Sequence, residues 1–340
     1  MSMQSPSSLR LLSPGSQSAI PLLREDWKEI LKTRVSEEHE EAPQHHLDSL
    51  MHPLPVSFSW QGGTPPYTLR LMPTQGSLGI RRLTTEQHSA ELTNLLVSTE
   101  YRWKVADAQG QCAEGRFCTA ASPRLIELPN SHAVPLNVRD AGGYRNADGD
   151  YMRQGILYRG ASFDDFAPSS AVNRAFFRRV LRIRTEVDLR YPENVGDRTS
   201  SPLGKGVRWL HRPINAYQAF EPEQVKRFRD AMALFARQEL YPIYFHCAGG
   251  SDRTGEIAFL LQGLLGVSEE DALLDYELSS LSIFPRSRNI PYFQEWRRRI
   301  ASHAPAGAPL ARQIEKYLLS IGVTRRQIVQ IRENLLCSTP

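Results

Sequence analysis

His246-Cys247-Ala248-Gly249-Gly250-Ser251-Asp252-Arg253-Thr254-Gly255 is the run on which the reading of the whole chain turns. Pro242-Ile243-Tyr244-Phe245 before it reads as a short buried strand, and Ile257-Ala258-Phe259-Leu260-Leu261 after it as an apolar helix. The order is strand, tight Gly-bearing loop, helix N-terminus. Five residues separate Cys247 from Arg253, enough for successive backbone N–H groups to curl inward as an anion nest at the helix's positive end. Gly249 and Gly250 are expected to supply positive φ and close approach. Arg253 offers a planar fork for two phosphate oxygens, so Ala248, Gly249, Gly250, Ser251 and Thr254 read with it as substrate-binding positions. The same field favours the thiolate of Cys247, which places a nucleophile beneath a bound phosphoryl group. Attack there gives a cysteinyl-phosphate that water then hydrolyses, two easier steps in place of one hard one. Thr254 is expected to bond the sulfur, and His246 to fix the loop through backbone. The plainer alternative is a buried structural thiol beside a Gly turn. It leaves the His-Cys pair, both glycines, the Arg and the Thr-Gly helix entry as separate accidents.

Working outward, Thr185 to Arg190 and Val207 to Leu210 read as further strands, and Pro222 to Gln238 as a helix with Val225, Phe228, Met232 and Phe235 at helical spacing. The loop resembles the His-Cys-x5-Arg-Thr/Ser-Gly signature of the cysteine-based protein tyrosine phosphatase superfamily. Asn137-Val138-Arg139-Asp140-Ala141-Gly142-Gly143-Tyr144, Gly155 to Gly160, and Leu265 to Ser279 narrow the likeness to bacterial tyrosine phosphatases of the atypical, dual-specificity type. The resemblance spans about 130 to 336. It implies an α/β cysteine-phosphatase fold, a central sheet flanked by helices, with Cys247 and Arg253 catalytic and Gly255 supporting the helix entry. Ser251 stands where many relatives carry a Lys associated with phosphoinositide activity. His211 to Tyr217, where many tyrosine phosphatases draw their general acid, contains no Asp. Asp252 is therefore the expected acid, ahead of Asp140, Asp164, Asp165 and Asp188. Asp188, with Arg190, is expected to tie neighbouring elements together, Arg139-Asp140 to form a structural pair at the pocket rim, and Arg159 to orient the loop from below. The Arg297-Arg298-Arg299 run reads as a solvated helix face.

The front of the chain has a different rhythm. Residues 1–50 are expected to be a largely flexible extension with one short helix near Pro21 to Leu31, followed by an acidic stretch, Glu37 to His46, in which His45 and His46 read as exposed. From 51 to 122, six or seven short alternating segments with turns every 8 to 12 residues imply a β-sandwich. Phe58-x-Trp60, Leu95-x-Val97-x-Thr99-x-Tyr101 and Gly115-Arg116-Phe117 resemble a fibronectin type III domain, with Trp60 as core and Tyr101 as the corner tyrosine. That likeness implies spacing or protein docking rather than chemistry. Residues 123–340 form the expected catalytic domain.

Composition excludes more than it identifies. Lys and Arg number 41 against 37 Asp and Glu, a net charge of +4, and only six of the basic residues are Lys. Residues before 123 hold 11 basic and 13 acidic side chains, so the positive excess lies entirely behind them. A mild Arg excess without a clustered stripe argues against nucleic acid and suits phosphate. No apolar run approaches the ~18 residues of a membrane span. Four scattered cysteines without C-x-x-C spacing argue against zinc and against a disulfide scaffold; Cys112 and Cys118 are left either pairing across a hairpin or remaining free and buried. No metal or organic cofactor is expected. The default compartment is the cytoplasm, or the periplasm or exterior if a leader has been removed. The expected substrate is a phosphorylated protein, through phosphotyrosine with phosphoserine/threonine tolerance, or a small phosphomonoester. The alternatives are an inositol phosphate or phosphoinositide phosphatase and a non-catalytic phospho-binding adaptor.

Overall fold

The computed structural model describes residues 8–15, 18–36, 51–74, 79–131, 133, 135–165, 169–282 and 285–338; His45 and His46 lie outside them. Among the described residues the front half is all-β apart from one helix. Its strands are β1 (Arg10–Ser13), β2 (Val56–Gln61), β3 (Tyr67–Pro73), β4 (Arg81–Thr85), β5 (Ser89–Leu92), β6 (Glu100–Ala106) and β7 (Cys112–Cys118), with α1 (Trp27–Ser36) between β1 and β2. They form a three-stranded sheet, β1-β2-β5, and a four-stranded sheet, β4-β3-β6-β7, antiparallel throughout. Alternation drives this: every second residue of β2 and β6 is buried, so Phe58, Trp60, Trp103 and Val105 meet Tyr67, Leu71 and Phe117 in one core. The Tyr101 hydroxyl accepts a 2.8 Å bond from the Leu96 amide.

Two expectations change here. The front extension is not structureless: β1 pairs Leu11 with Trp60, and Ile20 bridges Thr119. Four residues are too short to show a period, but they cover the open edge of β2. Cys112 and Cys118 are both exposed, at opposite ends of the same strand. Seven extended residues separate their Cα atoms by about 20 Å, far beyond the ~7 Å a disulfide tolerates, so they cannot pair within one chain.

The rear half is α/β. Its strands are β8 (Arg139–Asp140), β9 (Tyr151–Met152), β10 (Leu157–Gly160), β11 (Thr185–Asp188), β12 (Arg208–His211), β13 (Ile243–His246) and β14 (Leu336–Cys337). Its helices are α2 (Ala171–Arg179), α3 (Pro192–Val195), α4 (Pro222–Ala233), α5 (Asp252–Leu264), α6 (Glu269–Glu277), α7 (Pro291–Ala301), α8 (Leu310–Ser320) and α9 (Arg325–Leu335). The central sheet runs β12-β11-β13-β10-β8, parallel except for β8. Both faces are covered, which is why β10, β11 and β13 are buried at every position. Leu157, Val187, Ile243 and Phe245 face the core shared with α4, α5, α7, α8 and α9. Tyr158 and Tyr244 face Phe163, Phe177 and Leu181 on the other side. The apolar helix α5 is buried from Thr254 to Leu264, with no polar face.

The two halves are joined by hydrogen bonds. Gln154 spans the Val97 peptide, its Nε2 donating to the carbonyl and its Oε1 accepting from the amide, both at 2.9 Å. Arg124 donates to the Leu95 and Asn94 carbonyls and pairs with Asp140. Helix α1 leaves the sandwich and packs Trp27 and Leu31 against Leu278 and Leu281. Among the described residues no helix is long and apolar enough to cross a membrane.

Candidate active site

The loop 247–251 rises from the carboxyl end of β13, the middle strand, and feeds α5. Its carbonyls are turned outward and each is occupied. Cys247 O lies 3.0 Å from His246 Nδ1, Ala248 O accepts from Ser162 N at 2.9 Å, and Gly249 O accepts from Asn137 Nδ2 at 3.2 Å. Gly250 O accepts from Arg159 Nη2 at 3.0 Å and Ser251 O from Gly255 N at 2.8 Å. The amides of Ala248 through Arg253, by contrast, donate to no acceptor among the described residues. A turn with its carbonyls bound outside and its N–H groups free inside, at a helix N-terminus, is an anion nest.

Only one of the two glycines has the expected conformation. Gly250 has φ +71°, and a Cβ on it would stand 2.3 Å from the Gly160 carbonyl; Gly249 is outside the positive-φ region. Cys247 lies at the floor, 3 % exposed. Arg253 stacks 4.5 Å above the Tyr191 ring, and its Nη1 and the Thr254 hydroxyl are buried without hydrogen-bond partners among the described residues. Ser251 is buried, with its hydroxyl 3.5 Å from Gly249 O.

Beneath the loop the buried charges are paired. His246 Nε2 lies 2.9 Å from Glu186. Burial by itself would lower His246, but the Asp188 and Glu186 carboxylates outweigh it and raise it. Asp188 is gripped by Arg190, at 2.7 Å for Nη2; burial pushes its carboxyl up, His246 and Arg190 pull harder, and it falls to about 2. Glu186, Asp188 and His246 are the one group of three potential metal ligands among the described residues. Arg190, Ser201 and the Cys247 carbonyl already engage them, which marks a hydrogen-bond network. On the other face Asp275 of α6 pairs with Arg139 and Arg159, which lets Arg159 hold Gly250 as expected.

The remaining acid candidates are engaged elsewhere: Asp140 with Arg124, and Asp164 and Asp165 with Arg190. Asp252 is at the loop, and its carboxyl is met by side chains from two other segments. Arg286 donates to both its oxygens, Nε to Oδ1 and Nη2 to Oδ2, each at 2.8 Å, and the Tyr217 hydroxyl donates to Oδ1 at 2.6 Å. Burial alone would raise this carboxyl, but Arg286 and Tyr217 bring it below the usual range. Tyr217 has φ +59° and also meets the Tyr276 hydroxyl at 2.7 Å. Glu256, one turn along α5, is buried with both side-chain oxygens unpartnered among the described residues, and burial pushes its carboxyl well above the usual range. Sequence reasoning missed Tyr191, Tyr217, Glu256, Asp275 and Arg286. Tyr217 lay inside the segment searched for an Asp, but the signal sought there was a carboxylate. In the Arg run, Arg298 is exposed as expected, whereas Arg297 and Arg299 lie over Phe293 and Phe220.

Residues 132–337 match the profile of the group described as the tyrosine phosphatase family. A Cupriavidus necator protein provisionally named a tyrosine-protein phosphatase is 29% identical over 233 residues, 60% of this chain and 81% of its own. A Nostoc commune tyrosine-protein phosphatase is 24% identical over 266 residues, 67% of this chain and 80% of its own. Among solved structures, the core catalytic domain of the PP-IP phosphatase SIW14 from S. cerevisiae, in complex with citrate, aligns at TM-score 0.33 and 18% identity, covering 50% of this chain and 94% of that one.

Proposed function

From the premise that this chain belongs to the tyrosine phosphatase family, we propose that it hydrolyses phosphotyrosine monoesters through a cysteinyl-phosphate on Cys247. The observation that carries the reading is the loop itself. Six consecutive amides with no acceptor among the described residues, and the Arg253 fork, suit the non-bridging oxygens of a phosphoryl group at the loop that starts with the buried Cys247 thiol. Cys247 Sγ attacks phosphorus, the P–O bond to the tyrosyl oxygen breaks, and that oxygen leaves with the electron pair. Water then attacks the cysteinyl-phosphate, its proton passes to the Asp252 carboxylate, and the P–S bond breaks to restore the thiolate. Thr254 stabilises the departing sulfur, and Asp252 returns its proton to solvent. The front sandwich reads as fibronectin type III-like, supported by its three-against-four strand arrangement and the Tyr101 to Leu96 bond, with spacing or docking as its role.

Cys247→Ser is expected to abolish hydrolysis of an aryl phosphate in the presence of a chelator; substantial residual turnover would sink the mechanism. A phosphate-release panel of phosphotyrosyl peptides against inositol phosphates and phosphoinositides decides the substrate class. Faster turnover of the inositol compounds would move the assignment there.

A further inference from the structure

The Asp252 carboxyl stands at the first residue of α5 and is oriented from distant parts of the chain. Arg286 donates to it twice, Nε to Oδ1 and Nη2 to Oδ2, and the Tyr217 hydroxyl donates to Oδ1. A carboxylate has roughly four lone-pair sites, so one stays open, on Oδ2, and these contacts select the oxygen that can carry a proton. The charged and titratable groups around it are Arg286, Arg253 and Glu256 of α5, and the Tyr217 and Tyr276 hydroxyls. Arg286 is itself held from behind. The wholly buried Ser280 hydroxyl accepts from the Arg286 amide at 2.7 Å and donates to the Arg286 carbonyl at 3.1 Å. Ser280 belongs to a short helical turn, Leu278–Leu281, directly after α6. Its neighbour Ser279 meets Asn137 Nδ2 at 3.1 Å, the same nitrogen that holds Gly249 O in the phosphate loop. On its outer side the turn carries helix α1: Trp27 and Leu31 pack with Leu278 and Leu281, and Arg34 Nε donates to Ser280 O at 3.3 Å. One short turn thus joins the front extension both to the loop and to the anchor of Asp252.

We infer that Ser280 is a positioning residue for Asp252, acting through Arg286, and that helix α1 holds Ser280 in place, so that the front extension governs proton transfer in the rear half. The inference rests on the Cys247 mechanism proposed above and uses Asp252 in both its forms. Protonated from solvent, it gives that proton to the leaving oxygen as the P–O bond breaks. As the resulting carboxylate, it takes a proton from the water that attacks the cysteinyl-phosphate. Without the Ser280 hydroxyl, Arg286 loses a partner on both its amide and its carbonyl, and the two-point contact loosens. The carboxyl then loses its orientation, and with it the guanidinium that offsets its burial.

The test compares kcat/KM across pH, on the full chain, for phenyl phosphate, whose leaving oxygen needs an acid, and dinitrophenyl phosphate, whose leaving oxygen does not. Ser280→Ala is expected to lose about 10-fold on phenyl phosphate, part of the ~10²–10⁴-fold that a general acid supplies, and to stay within about 2-fold on dinitrophenyl phosphate. Its basic pH limb moves up, because a carboxyl released from Arg286 keeps its proton to higher pH. Arg286→Lys retains the charge without the two-point hold, so it shares the loss on phenyl phosphate with a smaller movement of the limb. Leu31→Ala and Arg34→Gln leave Ser280 itself intact and follow Ser280→Ala to a smaller extent; they carry the test if Ser280→Ala does not fold. Lys32→Ala, exposed on α1 and paired with Glu29, matches the wild type. Equal losses on both substrates with an unmoved pH limb would make Ser280 a purely structural residue and overturn the inference. Wild-type behaviour in both Leu31→Ala and Arg34→Gln would also overturn it, since the extension would then govern nothing. Either result leaves the nucleophile in place, whereas activity surviving in Cys247→Ser removes the mechanism itself.

Discussion

Asp188 sits under the loop with no solvent contact and meets both the His246 ring and Arg190. Its folded carboxyl titrates at about 2 against an ordinary value of 3.8. A depressed carboxylate contributes stability that is fully present above its unfolded value and is lost as pH falls through its folded one. The gap corresponds to about 2 kcal/mol. His246 works in the opposite sense: its value is raised, so its contribution is complete below the unfolded ~6.5 and fades as pH rises through the folded value. Denaturant midpoints should therefore fall between pH 4 and 2 in the wild type, and Asp188→Asn should lose about 2 kcal/mol at neutral pH together with that dependence. An unchanged acid slope in the variant would place the dependence in other carboxylates. At this scale the loop was readable because its chemistry is contiguous: Cys247, Arg253 and Thr254 fall within eight residues. Arg286 was not, since it acts from 34 positions away on an irregular segment where an Arg has no pattern to mark it. Nor does sequence reveal that three donors meet the Asp252 carboxyl; that requires seeing Tyr217 and Arg286 converge.

Between elements, the tightest contact is loop on strand. Gly250 lies against the Gly160 carbonyl at the end of β10, and an added methyl would meet rigid backbone at 2.3 Å in a φ region that side chains avoid. Gly250→Ala should cost about 3 kcal/mol and reduce activity at least as much as stability, since the loop must lift to relieve the clash. Thermal unfolding together with kcat/KM on an aryl phosphate checks this. Gly249→Ala, outside the positive-φ region, is the control expected to do less. The alternating strands β2 to β7 were legible from their period and the buried β11 and β13 from short apolar runs, with ends off by up to three residues. The two-residue strands β8, β9 and β14 and the edge strand β1 were not. A pair of residues carries no period, and such strands exist because a neighbour presents a free edge.

Across the whole molecule, the division into an all-β front and an α/β rear was visible in the change of rhythm near residue 123, but not how firmly the two are joined. Gln154 completes the Val97 peptide as a third strand would, and Arg124 links Leu95 to Asp140. Gln154→Ala leaves a buried amide and carbonyl unsatisfied, at about 1–3 kcal/mol, and should turn a single cooperative melting transition into two. One transition in both proteins would show that other contacts carry the coupling. The apolar side of α1 against Leu278 and Leu281 could not be foreseen, because an amphipathic helix announces a face and not its partner. The loop's outward carbonyls have a further meaning at this scale. They are tied to Asn137, Arg159, Ser162 and α5, four separate parts of the rear half, above the most protected strand of its sheet. With its carbonyls held from outside, the anion nest is expected to open with the rear half rather than ahead of it, unlike most ligand-binding loops. Heat is therefore expected to take catalysis and fold away together, and a temperature at which activity is lost before thermal unfolding begins would show otherwise.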